Sequence, residues 1–187
     1  MKTILAFSGS SRENSLNAQL LQKAVSMAAE LGASVEVIDL KALNLPLYDG
    51  DLEQTQGLPE GAKALKEAMQ EADGFLIASP EYNSFPTPLL LNALDWASRA
   101  EQPDEIPMRA FKGKTAGLIA ATPGPMGGLR SLSFLRSKLQ NMGVTVVPTM
   151  TGVGGATIDL FADENFATGQ QGRRLHATLS ALLHLTL

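Results

Sequence analysis

The run Gly74-Phe75-Leu76-Ile77-Ala78-Ser79 is apolar almost throughout and leads directly into the segment Pro80-Glu81-Tyr82-Asn83. A strand with one face in water alternates apolar and polar residues, whereas a strand covered on both faces is apolar at successive positions. The run therefore predicts a central strand in a sheet with helices on both faces. The segment from Pro80 onward is the expected loop at its carboxyl end.

Other apolar runs alternate with helical segments on either side of this strand. From Leu16 onward, for example, apolar residues recur every three or four positions, which predicts an amphipathic helix that ends at Gly32. We predict strands at residues 3–8, 34–40, 74–79, 114–121 and 144–147. Helices are expected at about residues 15–31, 60–72, 87–100, 132–142 and 165–184, and a loop is expected up to about Pro59. This alternation predicts an α/β fold, a three-layer doubly wound five-stranded parallel sheet.

Length and composition limit the classes of function. The 187 residues suit a single domain that spans residues 1–187. With 15 Lys and Arg against 19 Asp and Glu, the formal net charge is −4, so no overall basic field attracts nucleic acid. The absence of cysteine excludes disulfides, thiolate nucleophiles and cysteine-bound metals, and it suits a reducing compartment.

No segment predicts export or membrane insertion. The apolar stretch near the N-terminus is too short for the core of a signal peptide. The longest uncharged stretch, residues 139–158, has the length of a membrane span but contains four Gly and four Thr, so we interpret it as a strand and a loop. We expect a cytoplasmic protein with neither nucleic acid nor membrane as a partner.

Ligands of a doubly wound sheet bind where the carboxyl ends of the strands meet, so the loops after the first, third and fourth strands matter most. The first loop combines Gly9, several hydroxyl groups and Arg12 at the start of a helix. Backbone N–H groups, the helix dipole and a guanidinium together suit a dianionic phosphate. The alternative is simple N-capping by a Ser or Asn, which does not account for Arg12.

The second and third loops have compositions suited to a planar ligand. Glu81, Tyr82 and Asn83 offer a carboxylate, a phenol and an amide after the central strand. Gly124 and Gly127 permit a close approach of the backbone, and Thr122 adds a hydroxyl. A plain tight turn would explain the third loop equally well.

Several other chemistries are excluded. The first loop lacks the G-x-G-x-x-G pattern of a dinucleotide-binding fingerprint. Gly113-Lys114-Thr115 resembles the end of a P-loop, but Met108 stands where a P-loop requires glycine, so ATP hydrolysis is excluded. His176 and His184 are too far apart along the chain for paired metal ligands, so we expect no metal and place both at the surface or in a subunit contact. No G-x-S-x-G pattern supplies a serine nucleophile. Trp96 is expected in the core or in a subunit contact.

Three segments together resemble a known family. The pattern Gly9-Ser10-x-Arg12-x-x-Ser15-x-Asn17, followed by Ser79-Pro80-Glu81-Tyr82-Asn83 and Asn92-Ala93-Leu94-Asp95-Trp96, is similar to that of the NADPH-dependent FMN reductases, which include azoreductases, quinone reductases and chromate reductases. The resemblance covers roughly residues 1–150. It implies a flavodoxin-like fold with strand order 2-1-3-4-5, non-covalently bound FMN and a homodimer or homotetramer.

The resemblance also implies roles for individual residues. The FMN phosphate would be held by Ser10, Arg12, Ser15, Leu16 and Asn17. The isoalloxazine ring would be lined by Pro80, Glu81, Tyr82 and Asn83 and closed on its other edge by Thr122, Pro123, Gly124 and Gly127. The segment Leu45-Pro46-Leu47-Tyr48 resembles a stretch that faces the neighbouring subunit's site.

This chain departs from the family pattern at three places. Ser84 and Phe85 replace a common Gly-Ser, Thr87-Pro88 replaces Pro-Gly, and Leu91 replaces a Lys. Phe85 is expected to narrow or cover the space over the flavin.

The implied reaction has two steps. NADPH or NADH gives hydride to FMN, and a small acceptor such as a quinone, an azo compound or a free flavin then takes the electrons. No side chain is expected to act as a catalytic acid or base. Two alternatives remain at this point: a flavodoxin-type electron carrier and a non-catalytic flavin-binding regulatory protein.

Overall fold

The computed structural model describes residues 2–186, so Met1 and Leu187, the ends of the predicted 1–187 domain, lie outside the described residues. The strands are β1 Thr3–Ser8, β2 Ser34–Ile38, β3 Gly74–Ala78, β4 Thr115–Ala121, β5 Thr145–Val146 and β6 Thr151–Val153. The helices are α1 Leu16–Glu30, α2 Gly50–Gln56, α3 Glu60–Glu71, α4 Pro88–Ala97, α5 Leu129–Asn141, α6 Ile158–Ala162 and α7 Gln170–Leu185.

The strands form one parallel sheet in the order β2-β1-β3-β4-β5. This confirms the predicted α/β class and the strand order that the resemblance implies. The predicted count of five strands needs one correction, because β6 also pairs with β4, beyond the point where β5 ends. Pro148 lies between the two short strands and has no N–H to continue the ladder, so the edge is interrupted there.

Helices cover both faces of the sheet. On one face Leu5, Phe7 and Phe75 pack in a cluster that includes Leu65 of α3 and Leu132 of α5. On the other face the alternate strand residues pack against α1 and α7, in a cluster that contains Ile4, Ala6, Leu20, Leu76 and Leu179. Since β3 and β4 are buried at every position, the interpretation of the apolar run at residues 74–79 is confirmed.

Two helical segments differ from the sequence prediction. Helix α2 occupies part of the segment predicted as a loop before Pro59, and it buries no side chain, so it shows no apolar period. The last helix begins at Gln170 instead of Asn165, because α6 and a short 3-10 turn at Glu164–Phe166 precede it. No helix between residues 2 and 186 combines the length and apolar character needed to cross a bilayer.

Trp96 is completely buried and packs with Leu58 and Ala62, so its predicted place in the core is confirmed. Its indole Nε1 donates to the carbonyl oxygen of Pro46 at 2.8 Å. Asn92, one turn earlier on α4, donates to the same carbonyl at 2.8 Å and accepts from the backbone N–H of Tyr48 at 2.8 Å. The segment at residues 45–48 is therefore fixed to α4 through its backbone.

Candidate functional site

Three loops meet at the carboxyl ends of β1, β3 and β4: the first loop (residues 9–15), the second loop (residues 79–87) and the third loop (residues 122–128). The Gly9 N–H donates to the Ala78 carbonyl at 2.9 Å. The Thr87 hydroxyl donates to the Gly9 carbonyl at 2.6 Å. A Cβ atom at position 9 would lie 2.8 Å from Thr87 Oγ1 and 2.9 Å from Leu90 Cβ, so this close approach requires glycine.

The first loop leads into α1 and presents unused donors. Ser15 is the N-cap, and its Oγ accepts from the Ala18 N–H at 3.2 Å, so the predicted capping is present. Within residues 2–186, the backbone N–H groups of Leu16 and Asn17 have no protein acceptor. Arg12 is exposed and forms no ion pair in the same part of the chain. Free N–H groups at a helix start beside a guanidinium make this loop suitable for an anion.

Asn17 also has a structural role that the sequence analysis did not predict. Its side chain is buried, Nδ2 donates to the Ala121 carbonyl at 2.9 Å, and Oδ1 accepts from the Ala121 N–H at 2.9 Å. The amide thus ties the start of α1 to the last residue of β4. A phosphate contact from Asn17 would therefore involve its backbone N–H.

The second loop forms a tight turn. Tyr82 and Phe85 exchange two backbone hydrogen bonds, at 2.9 and 3.0 Å, around Asn83 and Ser84. Both central residues have positive φ, 52° and 72°, a conformation that favours glycine or asparagine. The turn leaves the Tyr82 side chain half exposed. Phe85 is also half exposed and stacks on Phe134 of α5, with ring centroids 4.0 Å apart.

The start of the second loop is joined to α5. The buried Pro80 carbonyl accepts from the hydroxyl groups of Ser79 and Ser131, each at 3.1 Å. Glu81 binds Arg130 at 2.8 Å and accepts from the Ser131 backbone N–H at 3.2 Å. The Glu81 carboxylate is thus engaged inside the protein, so a ligand contact from Glu81 would involve its backbone.

The third loop is a tight turn held against β6. The Thr122 N–H donates to the Val153 carbonyl at 3.0 Å, and the Thr122 hydroxyl donates to the Gly124 carbonyl at 3.2 Å. Gly127 has a φ of 59°, and a Cβ atom there would lie 2.5 Å from the carbonyl carbon of Gly152. Pro123 and Gly124 are exposed at the tip of this loop. The third loop is thus a tight turn in which packing requires glycine at position 127.

The structure thus brings the predicted residues of all three loops to one edge of the sheet. Thr87, Arg130 and Ser131 were missed in the sequence, although they connect these loops. Arg130 and Ser131 lie in the first turn of α5, which begins directly after Gly127-Gly128. This position is a signal in the sequence, since helix starts attract carboxylates such as that of Glu81. Across residues 2–186 no three His, Asp or Glu side chains lie close enough together to bind a metal ion.

Comparisons with known proteins agree with this geometry. A family model for NADPH-dependent FMN reductases matches residues 2–157. An NAD(P)H-dependent FMN reductase of Pseudomonas aeruginosa is 38% identical over 136 residues, which cover 73% of this chain and 68% of the relative. A quinone reductase of Escherichia coli K12 is 31% identical over 176 residues, which cover 94% of this chain and 89% of the relative.

A solved structure agrees over the full length. The flavoenzyme NAD(P)H:(acceptor) oxidoreductase FerB from Paracoccus denitrificans superposes with a TM-score of 0.80 at 26% identity, and the match covers 100% of both chains. The family model includes all three loops and the strands that carry them. This chain therefore belongs to the NADPH-dependent FMN reductase family.

Proposed function

We propose that this protein binds FMN at the junction of the three loops and passes two electrons from NADPH or NADH to a small acceptor, such as a quinone, an azo compound or a free flavin. The observation that carries the proposal is the set of free N–H groups at the start of α1, beside Arg12 and next to two loops with exposed polar and aromatic groups. Bound FMN supplies the hydride chemistry.

The first loop fits the phosphate of FMN. A dianion placed there would receive the backbone N–H groups of Leu16 and Asn17, hydroxyl groups from Ser10 and Ser15, and the Arg12 guanidinium. Charged hydrogen bonds of this kind are shorter and stronger than neutral ones. Since Asn17 fixes the loop to β4, these donors are positioned before the ligand arrives.

The second and third loops are assigned to the isoalloxazine ring. Pro80, Tyr82, Asn83 and the backbone of Glu81 would line one side, and Thr122, Pro123, Gly124 and Gly127 would line the other. The turn at residues 82–85 is closed by its own hydrogen bonds, and this rigidity favours a defined ring position. Phe85, anchored on Phe134, extends the aromatic surface toward the space where a planar acceptor would approach.

An anaerobic absorbance experiment tests this function. The purified protein, with FMN added if it is colourless, is expected to show a flavin band that bleaches on addition of NADPH or NADH. Steady nicotinamide oxidation with a quinone should follow. A flavin band that persists with both nicotinamides would instead identify an electron carrier or a regulatory protein, and failure to bind FMN would refute the cofactor site.

Replacing Arg12 with alanine tests the phosphate contact. A lost hydrogen bond to a charged group corresponds to about 1.5–3 kcal/mol, so FMN affinity should fall roughly 10- to 150-fold. Isothermal titration of FMN into flavin-free protein measures the change. The matched control is Arg109→Ala, in the exposed segment that leads into β4 at the opposite end of the sheet, where FMN affinity should stay within about twofold. Equal effects of both substitutions would remove Arg12 from the phosphate site.

The assembly and location are proposed on the family resemblance. We assign a homodimer or homotetramer, with the 45–48 segment near the neighbouring subunit's site, and a cytoplasmic location that suits a chain without cysteine. Leu47 is 79% exposed on this segment and provides an apolar contact for a second chain. Light scattering coupled to size-exclusion chromatography should give two or four times the mass of one chain. The Leu47→Asp substitution should lower this measured mass. A single-chain mass for the unaltered protein would refute the assembly.

A further inference from the structure

A groove of about 340 Å³ opens beside the first loop, on the side of β2. One wall is formed by Ser8, Ser10, Ser11, Arg12 and Glu13, and residues of α1 and of the end of β2 form the rest. No residue of the second or third loop belongs to its lining within the described chain. Because β2 and β3 lie on opposite sides of β1, the groove is separate from the space assigned to the FMN ring.

The lining combines an apolar surface with opposite charges. Val37 is 45% exposed on β2 and faces the same groove as Leu21 of α1. Directly after β2, the Asp39 Oδ1 atom accepts from the Lys41 backbone N–H at 2.9 Å. Neither the other carboxylate oxygen of Asp39 nor the ammonium group of Lys41 has a hydrogen-bond or ion-pair partner among residues 2–186. Both groups are therefore free to contact a ligand.

This placement matches the chemistry of an adenosine phosphate. In doubly wound folds that bind dinucleotides, phosphates lie at the start of the first helix, and a carboxylate after the second strand binds the ribose hydroxyls. Asp39 occupies that place here, and Lys41 supplies a cation beside it. The groove volume lies within the range of small-molecule sites.

We propose that this groove binds the AMP half of FAD, so that the protein accepts FAD as well as FMN. The inference rests on the proposed function, because the AMP half is joined to the same phosphate group that the first loop holds in FMN. Arg12 stands between the two phosphates, Asp39 binds the ribose, Lys41 binds the AMP phosphate, and Val37 packs against adenine.

Titrations of FMN and FAD into the full chain, stripped of flavin, test the inference. FAD should bind at least as tightly as FMN. Lys41→Gln should raise the Kd of FAD about tenfold and leave the Kd of FMN within about twofold, since only FAD reaches this ammonium group. The matched control is Lys23→Gln, which removes the same charge from α1 outside the groove and should change neither value.

The outcomes separate this inference from the proposed function. Binding of FMN with FAD more than tenfold weaker, or an equal effect of both lysine substitutions on FAD, would overturn the groove assignment alone. A higher KM for NADPH in FMN-loaded Lys41→Gln, with unchanged FAD affinity, would assign the groove to the nicotinamide dinucleotide and also overturn it. If neither flavin binds to the unaltered protein, the cofactor site itself is refuted.

Discussion

Replacing Asn17 with alanine is expected to lower the free energy of unfolding by about 3 kcal/mol, because the substitution leaves two buried backbone groups of Ala121 without partners. Each unsatisfied buried polar group costs roughly 1–3 kcal/mol. FMN affinity should fall as well, since the start of α1 is no longer fixed to β4. Urea denaturation measures the stability, and FMN titration of the folded variant measures the affinity.

Asn14 provides the matched control for this prediction. It is an exposed asparagine of the same loop, so Asn14→Ala should change the free energy of unfolding by less than about 0.5 kcal/mol. A loss of less than about 1 kcal/mol in Asn17→Ala would show that water or backbone movement satisfies Ala121, and would contradict the stabilising role assigned to this amide.

The second large effect is expected at a buried ion pair. The ammonium group of Lys66 lies 2.6 Å from the Glu105 carboxylate, and the two side chains are 2% and 8% exposed. Glu105→Ala leaves this ammonium without its counter-charge, which should cost about 3–5 kcal/mol. Replacing both residues, as Lys66→Met with Glu105→Leu, should recover most of that loss, because an apolar pair carries no desolvation penalty. Thermal denaturation of the three proteins measures the differences.

An exposed ion pair gives the comparison. Glu60 binds Lys63 at the same distance, 2.6 Å, but its side chain is 89% exposed. Glu60→Ala should therefore leave Tm almost unchanged. A similar decrease in Tm for Glu60→Ala and Glu105→Ala would mean that burial does not decide how much each ion pair contributes to stability.

The buried Lys66–Glu105 pair also predicts a dependence of stability on pH. Burial opposes ionisation of Glu105, but hydrogen bonds from Lys66 and from the Glu101 N–H outweigh it and hold the pKa below the usual range. A carboxyl group with a lowered pKa in the folded state stabilises the protein above its unfolded pKa, and this contribution is lost as the pH falls through the folded pKa. Between pH 7 and about pH 3.5, the unaltered protein should lose more stability than Glu105→Gln. Parallel curves of stability against pH for the two proteins would exclude this contribution of Glu105.

Much of the fold was readable from the sequence, because local patterns determine it. The apolar run at residues 74–79 and the three-to-four spacing from Leu16 identified a central strand and an amphipathic helix directly. Helix α2 was missed since it buries no side chain and therefore shows no apolar period. Pro148 was visible in the sequence, but the return of the chain to β4 as β6 beyond it depends on long-range strand pairing, which no local pattern records.

The candidate site could be predicted from the sequence only in part. Loop composition located the three loops and the start of α1, since glycine, hydroxyl and charged residues cluster there. The pairing of Asn17 with Ala121 joins residues 104 positions apart, and the Glu81–Arg130 pair joins residues 49 positions apart. Such contacts arise from the packing of elements against each other, so a single sequence shows the residues but not their partners.

The double hydrogen bond at the Pro46 carbonyl has a thermodynamic consequence for association. Leu47 extends into solvent, yet the backbone on both sides of it is held by Asn92 and Trp96. Ordering a flexible backbone costs about 1–2 kcal/mol per residue in conformational entropy. A surface that covers Leu47 therefore gains the burial of this side chain without that entropic loss, because the segment is already ordered in the single chain.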